Sequence, residues 1–359
     1  MMITQPSTSP SASVSYDAAT QLFTLRNGND MRVTISPRGA TLRSWWAPDR
    51  YGRVADVLLG WPDEQGYASN STYFGAIVGR CANRIAGGRF ALDGADYLVD
   101  RNNGVNHLHG GDTGFHQAQW LPTVDADGHG LLFTLESPDG DGGYPGTLRV
   151  ALHYRLDDDG ALALDYQAVC DAPTPVNLTS HPYFNLSGGA TDIGDHLLWI
   201  DADQYLPVDA GLIPLPSGPL PVAGSAFDFR QPAPIGTRLG WPEPQLALAG
   251  GFDHCFCLRP AGAAGAGAGQ LRDVARVVDP GTGRQLTVST TEPGLQFYSG
   301  NYLDGVVGRG AAPYGRHAGF CLEAQAYPNQ INGPDAQAVV LRPGQVYRQS
   351  TVYRLAVRG

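Results

Sequence analysis

Short runs of apolar and β-branched residues recur along the chain, separated by clusters of Gly, Pro, Asp and Asn. The clearest spans Leu148–Tyr154, where Leu148, Val150, Leu152 and Tyr154 alternate with Arg149, Ala151 and His153. A period of two is that of a strand with one buried face. Comparable runs cover residues 21–25, 31–35, 89–92, 130–135 and 161–169, and later 197–200, 256–258, 274–278, 285–289, 295–298, 319–325 and 346–355. Asp157-Asp158-Asp159-Gly160 and the stretch 279–283 have the composition of hairpin loops between such runs. No helix-period pattern exceeds about two turns, and no internal repeat is present. The pattern predicts an all-β protein, one large antiparallel β-sandwich of many strands.

Composition agrees. Glycine (47) and proline (27) make up about one residue in five of 359, which disfavours helices. The Gly/Ala-rich stretch 260–269 reads as a flexible loop joining two strands, because strand-like patterning continues on both sides. The Ser/Thr/Pro-rich opening, residues 1–15, is expected to fray, leaving 16–359 as a single domain. All 24 basic residues are arginine. The absence of lysine excludes a Walker-A phosphate loop and the Schiff-base and pyridoxal-phosphate enzymes, each of which depends on one. A net charge of −10 argues against nucleic-acid binding, which needs a basic face. Five cysteines without a C-x-x-C pair do not form a disulfide framework. Cys255 and Cys257 read as small buried residues rather than a metal pair, because no third soft ligand is near in sequence. No basic leader precedes an apolar segment, and no apolar run is long enough to span a membrane. A soluble, cytoplasmic protein is the expectation.

Several segments could carry chemistry. His107 and His109 flank Leu108 in NHLHGG and would share one face of an extended segment, and the glycines allow close approach to a ligand. A zinc pair and a purely structural turn are the competing readings. His181, in VNLTSHPYFNLSG, stands at a strand end because Pro182 cannot donate to a sheet ladder. There it faces a cleft or packs structurally, with Tyr183 on its face and Phe184 anchoring the other. Asp253 opens an apolar strand at a rim, as a hydroxyl acceptor or a turn cap. Glu323 interrupts the apolar run of GFCLEAQAYP. Inside a strand it would be desolvated and its pKa raised towards that of a general base; on the solvent face it would be ordinary. Asn83-Arg84 and Gln296, beside aromatic residues, suit a polar, uncharged ligand such as a sugar.

Taken in order, these segments resemble the aldose 1-epimerase (galactose mutarotase) family. GRCANRIAGGRF, NNGVNHLHGG, VNLTSHPYFNLSG, GFDH, TEPGLQFYSGNYLDG and GFCLEAQAYPNQIN are similar to its motifs, over about residues 23–353. The resemblance implies a β-supersandwich that interconverts the α and β anomers of free aldohexoses such as galactose and glucose. It implies Glu323 as general base, His181 as general acid and His109 beside the ring oxygen. Asn83, Arg84, Asp253 and Gln296 would contact the sugar, with Tyr183 next to the acid. It implies no metal and no cofactor, a monosaccharide as the only small-molecule partner, and a monomer or weak homodimer. Ser180 and Pro182, on either side of His181, depart from the family pattern and bear on the hydrogen bonding of the acid. A non-catalytic sugar-binding module and a hexose-6-phosphate 1-epimerase are the alternatives.

Overall fold

The computed structural model describes residues 13–69, 72–260, 269–310 and 312–358. Within these, three antiparallel sheets carry the architecture. The first is a five-stranded meander of Ser13–Asp17, Leu22–Arg26, Arg32–Ser36, Thr41–Pro48 and Val54–Asp56. The second has nine strands, ordered Leu121–Val124, Gly130–Ser137, Leu148–Leu156, Ala161–Cys170, Tyr347–Val357, Arg284–Thr290, Arg272–Val278, Leu197–Ile200 and Ala233–Pro234. The third orders Leu220–Pro221, Ala202–Tyr205, Asp253–Leu258, Gly294–Tyr298 and Cys321–Gln325. Helices are short, at most six residues among those described.

The alternating pattern is realised residue by residue. In Leu148–Leu156 the apolar positions 148, 150, 152, 154 and 156 are all buried, and Arg149 and Arg155 face solvent. Asp157–Gly160 turns this strand into Ala161–Cys170, with Asp157 N–H on the Ala161 carbonyl at 3.0 Å. Residues 279–283 join Arg272–Val278 to Arg284–Thr290 in the same way. The main apolar core runs from Phe23 to Leu355, with two smaller clusters beside it around Phe90 and Phe74, and each large buried side chain contributes roughly 1.5–3 kcal/mol.

The opening segment divides at its boundary. Residues 1–12 lie outside those described, but Ser13 to Ser15 belong to a strand paired with Leu22–Arg26 rather than a frayed end. Most of the Gly/Ala-rich stretch, residues 261–268, also lies outside the described residues.

Gly294–Tyr298 and Cys321–Gln325 are buried at every position. One face of each enters the core through Leu295, Phe297, Leu322 and Ala324. Cross-strand partners share a face, and the register aligns Asp253 with Tyr298 and Cys321, Cys255 with Gln296 and Glu323, and Cys257 with Gly294 and Gln325. The second face is therefore polar, and it floors a cleft.

Candidate active site

The wall opposite that floor comes from two crossing segments. Thr179–Ser180 pairs with Ile77–Val78, and the ladder continues as His181 N–H donates to Ala76 O (3.0 Å) while Gly75 N–H donates to His181 O (2.9 Å). Pro182 ends it, as the sequence requires. Tyr183 stacks on the His181 ring at 5.1 Å and 19°, while Phe184 points the other way into the core against Trp45, Phe320 and Tyr353.

The second segment pairs Arg84–Ile85 with His107–Leu108. The expectation that His107 and His109 share a face fails here. The extended conformation stops at Leu108, and His109 turns into the left-handed region (φ 52°). His107 is structural: its Nδ1 meets the Asp100 carbonyl at 2.7 Å and its Nε2 the Tyr144 hydroxyl at 2.6 Å. His109 instead enters the cleft, held by reciprocal bonds with Asn83. Its N–H donates to Asn83 O (3.0 Å), and Asn83 N–H donates to its Nδ1 (3.1 Å). Gly110 follows at φ 92° with its α-carbon against the Gly79 carbonyl, where any side chain would collide. In GRCANR the two arginines part company. Arg80 is wholly buried and bonds Ser137, Pro138, Pro145, Gly146 and Thr174, whereas Arg84 reaches the cleft.

The resulting cavity of about 350 Å³ lies at the small end of the range usual for ligand pockets. Asn83, Arg84, His109, His181, Tyr183, Asp253 and Glu323 all line it. Gln296 stands behind them, donating its Nε2–H to Asp253 Oδ1 at 2.7 Å. The other Asp253 oxygen faces Arg84 Nη1 at 3.6 Å, and Arg84 Nε donates to Asn103 Oδ1 at 3.0 Å. Glu323 is 2% exposed; its Oε1 lies 3.7 Å from His181 Nε2, and its Oε2 has no protein partner.

Burial sets the proton affinities. It pushes the Glu323 carboxyl well above its usual range, reinforced by Asp253 and opposed by Arg84. It lowers His181 to about 4, and His109 well below the usual imidazole value with help from His181 and Arg84. A carboxyl and an imidazole thus face one cavity with their affinities displaced in opposite directions, the arrangement of an acid–base pair.

His109, His181 and Glu323 place candidate ligand atoms within 4.8 Å of one another. They nonetheless suit a cation poorly. The His109 Nδ1 lone pair already accepts the Asn83 N–H, so Nε2 carries the ring proton and meets the cleft as a donor.

Among the cavity's other walls, sequence reasoning missed Tyr73, Asn103, Tyr298, Tyr302, Leu303 and Val306. Tyr298 was legible in part, because it sits two residues beyond Gln296 on the same strand. The others lie in loops, where no periodicity marks them.

Comparisons with known proteins agree with this architecture. The family model described as aldose 1-epimerase matches residues 21–354. A galactose mutarotase from Bos taurus is 46% identical over 332 residues, 92% of either chain. An aldose 1-epimerase from Escherichia coli K12 is 41% identical over 336 residues, 93% of this chain and 94% of that one. The crystal structure of a galactose 1-epimerase from Lactobacillus acidophilus superposes with a TM-score of 0.80 at 30% identity, covering 96% of this chain and 97% of the other. With a family model matched from residue 21 to 354 and relatives 41–46% identical over more than nine-tenths of its length, the chain belongs to the aldose 1-epimerase family of isomerases.

Proposed function

We propose that the protein interconverts the α and β anomers of free aldohexoses, galactose and glucose among them, by opening and reclosing the pyranose ring. One observation carries the reading: a buried carboxyl and a buried imidazole, Glu323 and His181, stand 3.7 Å apart beside a cavity with hydroxyl-binding groups on its other wall. Anomerisation needs a proton removed from the C1 hydroxyl and a proton delivered to the ring oxygen. Glu323 takes the first and His181 gives the second. The C1–O5 bond breaks, the aldehyde turns about C1–C2, and closure on its other face runs both transfers in reverse. His109 offers its Nε2–H to the ring oxygen. Asn83, Arg84 and Asp253 receive the remaining hydroxyls, and Gln296 acts on them by fixing Asp253. Each positioned proton transfer is worth roughly 10²–10⁴ in rate.

No step calls for a redox or Lewis-acid group. A phosphorylated substrate would want an arginine cluster, and Arg84, already facing Asp253, is the arginine lining the cavity. The reading extends to one domain that takes in the strand from Ser13 onward, a monomer or weak homodimer, acting in the cytoplasm. Free cysteines suit that reducing compartment, and no helix among the described residues is long and apolar enough to cross a membrane.

Polarimetry of freshly dissolved α-D-galactose and α-D-glucose tests the activity. Accelerated relaxation to the spontaneous end value is expected. Binding of both sugars by calorimetry without acceleration would point to a binding module instead.

A further inference from the structure

Three non-glycine residues around the cavity, Tyr73, Asn83 and His109, have left-handed backbones, with φ of 58°, 60° and 52°. Asparagine tolerates this region, but a bulky aromatic residue there is an outlier that surrounding contacts must hold in place. Tyr73 opens the turn that leads into the His181 ladder. Its carbonyl accepts the Ala76 N–H at 3.1 Å, and Gly75 and Ala76 are the residues that bond the His181 main chain. Its ring packs 4.7 Å from His109, 4.8 Å from His116 and 5.9 Å from His181, nearly parallel to the last at 24°. Tyr183 also stacks on His181, while His109 and His181 meet edge to face at 5.2 Å. Beyond Tyr73 lies an adjoining cavity that includes His116, Asn102 and Thr113 in its wall, so the same ring forms part of the boundary of both.

Neither imidazole is held by side-chain hydrogen bonding alone. The Nδ1 of His181 has no protein partner, and His109 is tied by its Nδ1 to one backbone N–H. Ring packing must supply the rest of their orientation. We propose that Tyr73 is a positioning residue, whose ring, fixed by its left-handed backbone, sets the orientations of His109 and His181 relative to Glu323. This rests on reading the cleft as an aldose-anomerising site. The hydroxyl is secondary, since it accepts only a long bond of 3.4 Å from Asn102.

The test compares Tyr73→Phe, Tyr73→Leu and Tyr73→Ala with the parent protein, by polarimetric kcat and KM and by ¹H–¹⁵N spectra of the histidine rings. Tyr73→Phe should keep kcat within about 2-fold. Tyr73→Leu and Tyr73→Ala should lower kcat by roughly 10–100-fold with KM nearly unchanged, the scale of a catalytic group misplaced by about 1 Å. The His109 and His181 ring signals should shift or split in these two variants. Should Tyr73→Ala fail to fold, Tyr73→Leu decides. Unchanged kcat in the folded variants, a loss confined to KM, or a Tyr73→Phe as impaired as Tyr73→Ala would overturn the proposal. Were the parent protein inactive on aldoses, the functional reading would fall by itself. The ring spectra would still decide the positioning claim: undisturbed signals in Tyr73→Leu overturn it and disturbed ones support it.

Discussion

At the scale of residues, the number of protons that Glu323 and His181 hold between them governs the chemistry. Burial disfavours the carboxylate–imidazolium pair, so the free cleft favours a neutral carboxylic acid beside a neutral imidazole. Both arrangements hold one proton, and the carboxylate–imidazolium form required for reaction is reached by relocating it. Activity therefore follows the population of the cleft that holds this one proton. It should fall on the acid side near pH 4, as a second proton enters at His181, and on the alkaline side well above the ordinary carboxylate range, as the pair loses its only proton. Both limbs belong to the pair rather than to either residue. A pH profile of kcat checks this, and an acid limb above pH 6 would contradict it. Gln296 acts one layer back. Because its amide fixes the Asp253 carboxylate, Gln296→Leu removes a hydrogen bond to a charged group, worth about 1.5–3 kcal/mol. A fall of roughly 10–100-fold in kcat/KM is expected, mostly in KM, from initial rates against sugar concentration.

At the scale of elements, the turn after Leu108 decides where a histidine goes. Gly110→Ala would drive a methyl group into the Gly79 carbonyl at a left-handed position, a cost of about 1–3 kcal/mol together with displacement of His109. Melting temperature and activity should drop together. Gly104→Ala is the control: its φ is 62°, but nothing lies within 4 Å of the added methyl group, so stability should fall by only about 1–2 kcal/mol and activity should remain. This turn also marks the limit of what the sequence can reveal. Strands with one wet face, such as Leu148–Leu156, announce themselves by alternation, and Glu323 stood out because a carboxylate breaks an apolar strand. The departure of His109 from the face of His107 was invisible, since it depends on a φ that a tertiary contact imposes. Tyr73 and Tyr302 were illegible for a related reason: loop residues become walls only after distant strands bring them to the cleft.

At the scale of the whole molecule, the strand Tyr347–Val357 lies between Ala161–Cys170 and Arg284–Thr290, so the nine-stranded sheet is closed by pairings between segments far apart in sequence. The same burial that builds this core suppresses histidine protonation. His116, His181 and His196 are lowered to about 4 and His254 to about 3, all chiefly by burial, and burial also holds His109 well below the usual imidazole value. The unfolded chain takes up protons below about 6.5 that these folded residues refuse. Their contribution to stability is whole above that pH and drains away as pH falls towards 4. Glu292, raised to about 7, and Glu323 work in the opposite sense, stabilising as pH falls, but among the described residues the strongly lowered imidazoles outnumber them. The melting temperature should be lower at pH 5 than at pH 7.5, and a flat or rising trend would show that the buried histidines do not dominate.

The central claim is that Glu323 and His181 together exchange protons with the anomeric centre. The most direct measurement is the α-to-β exchange rate of galactose by magnetisation-transfer NMR, with the parent protein and with Glu323→Gln at equal concentration. Glutamine keeps the size of the side chain and adds no buried charge, so the variant should fold, bind sugar and lose roughly 10²–10⁴ of the rate. A folded Glu323→Gln that exchanges the anomers as fast as the parent would contradict the account.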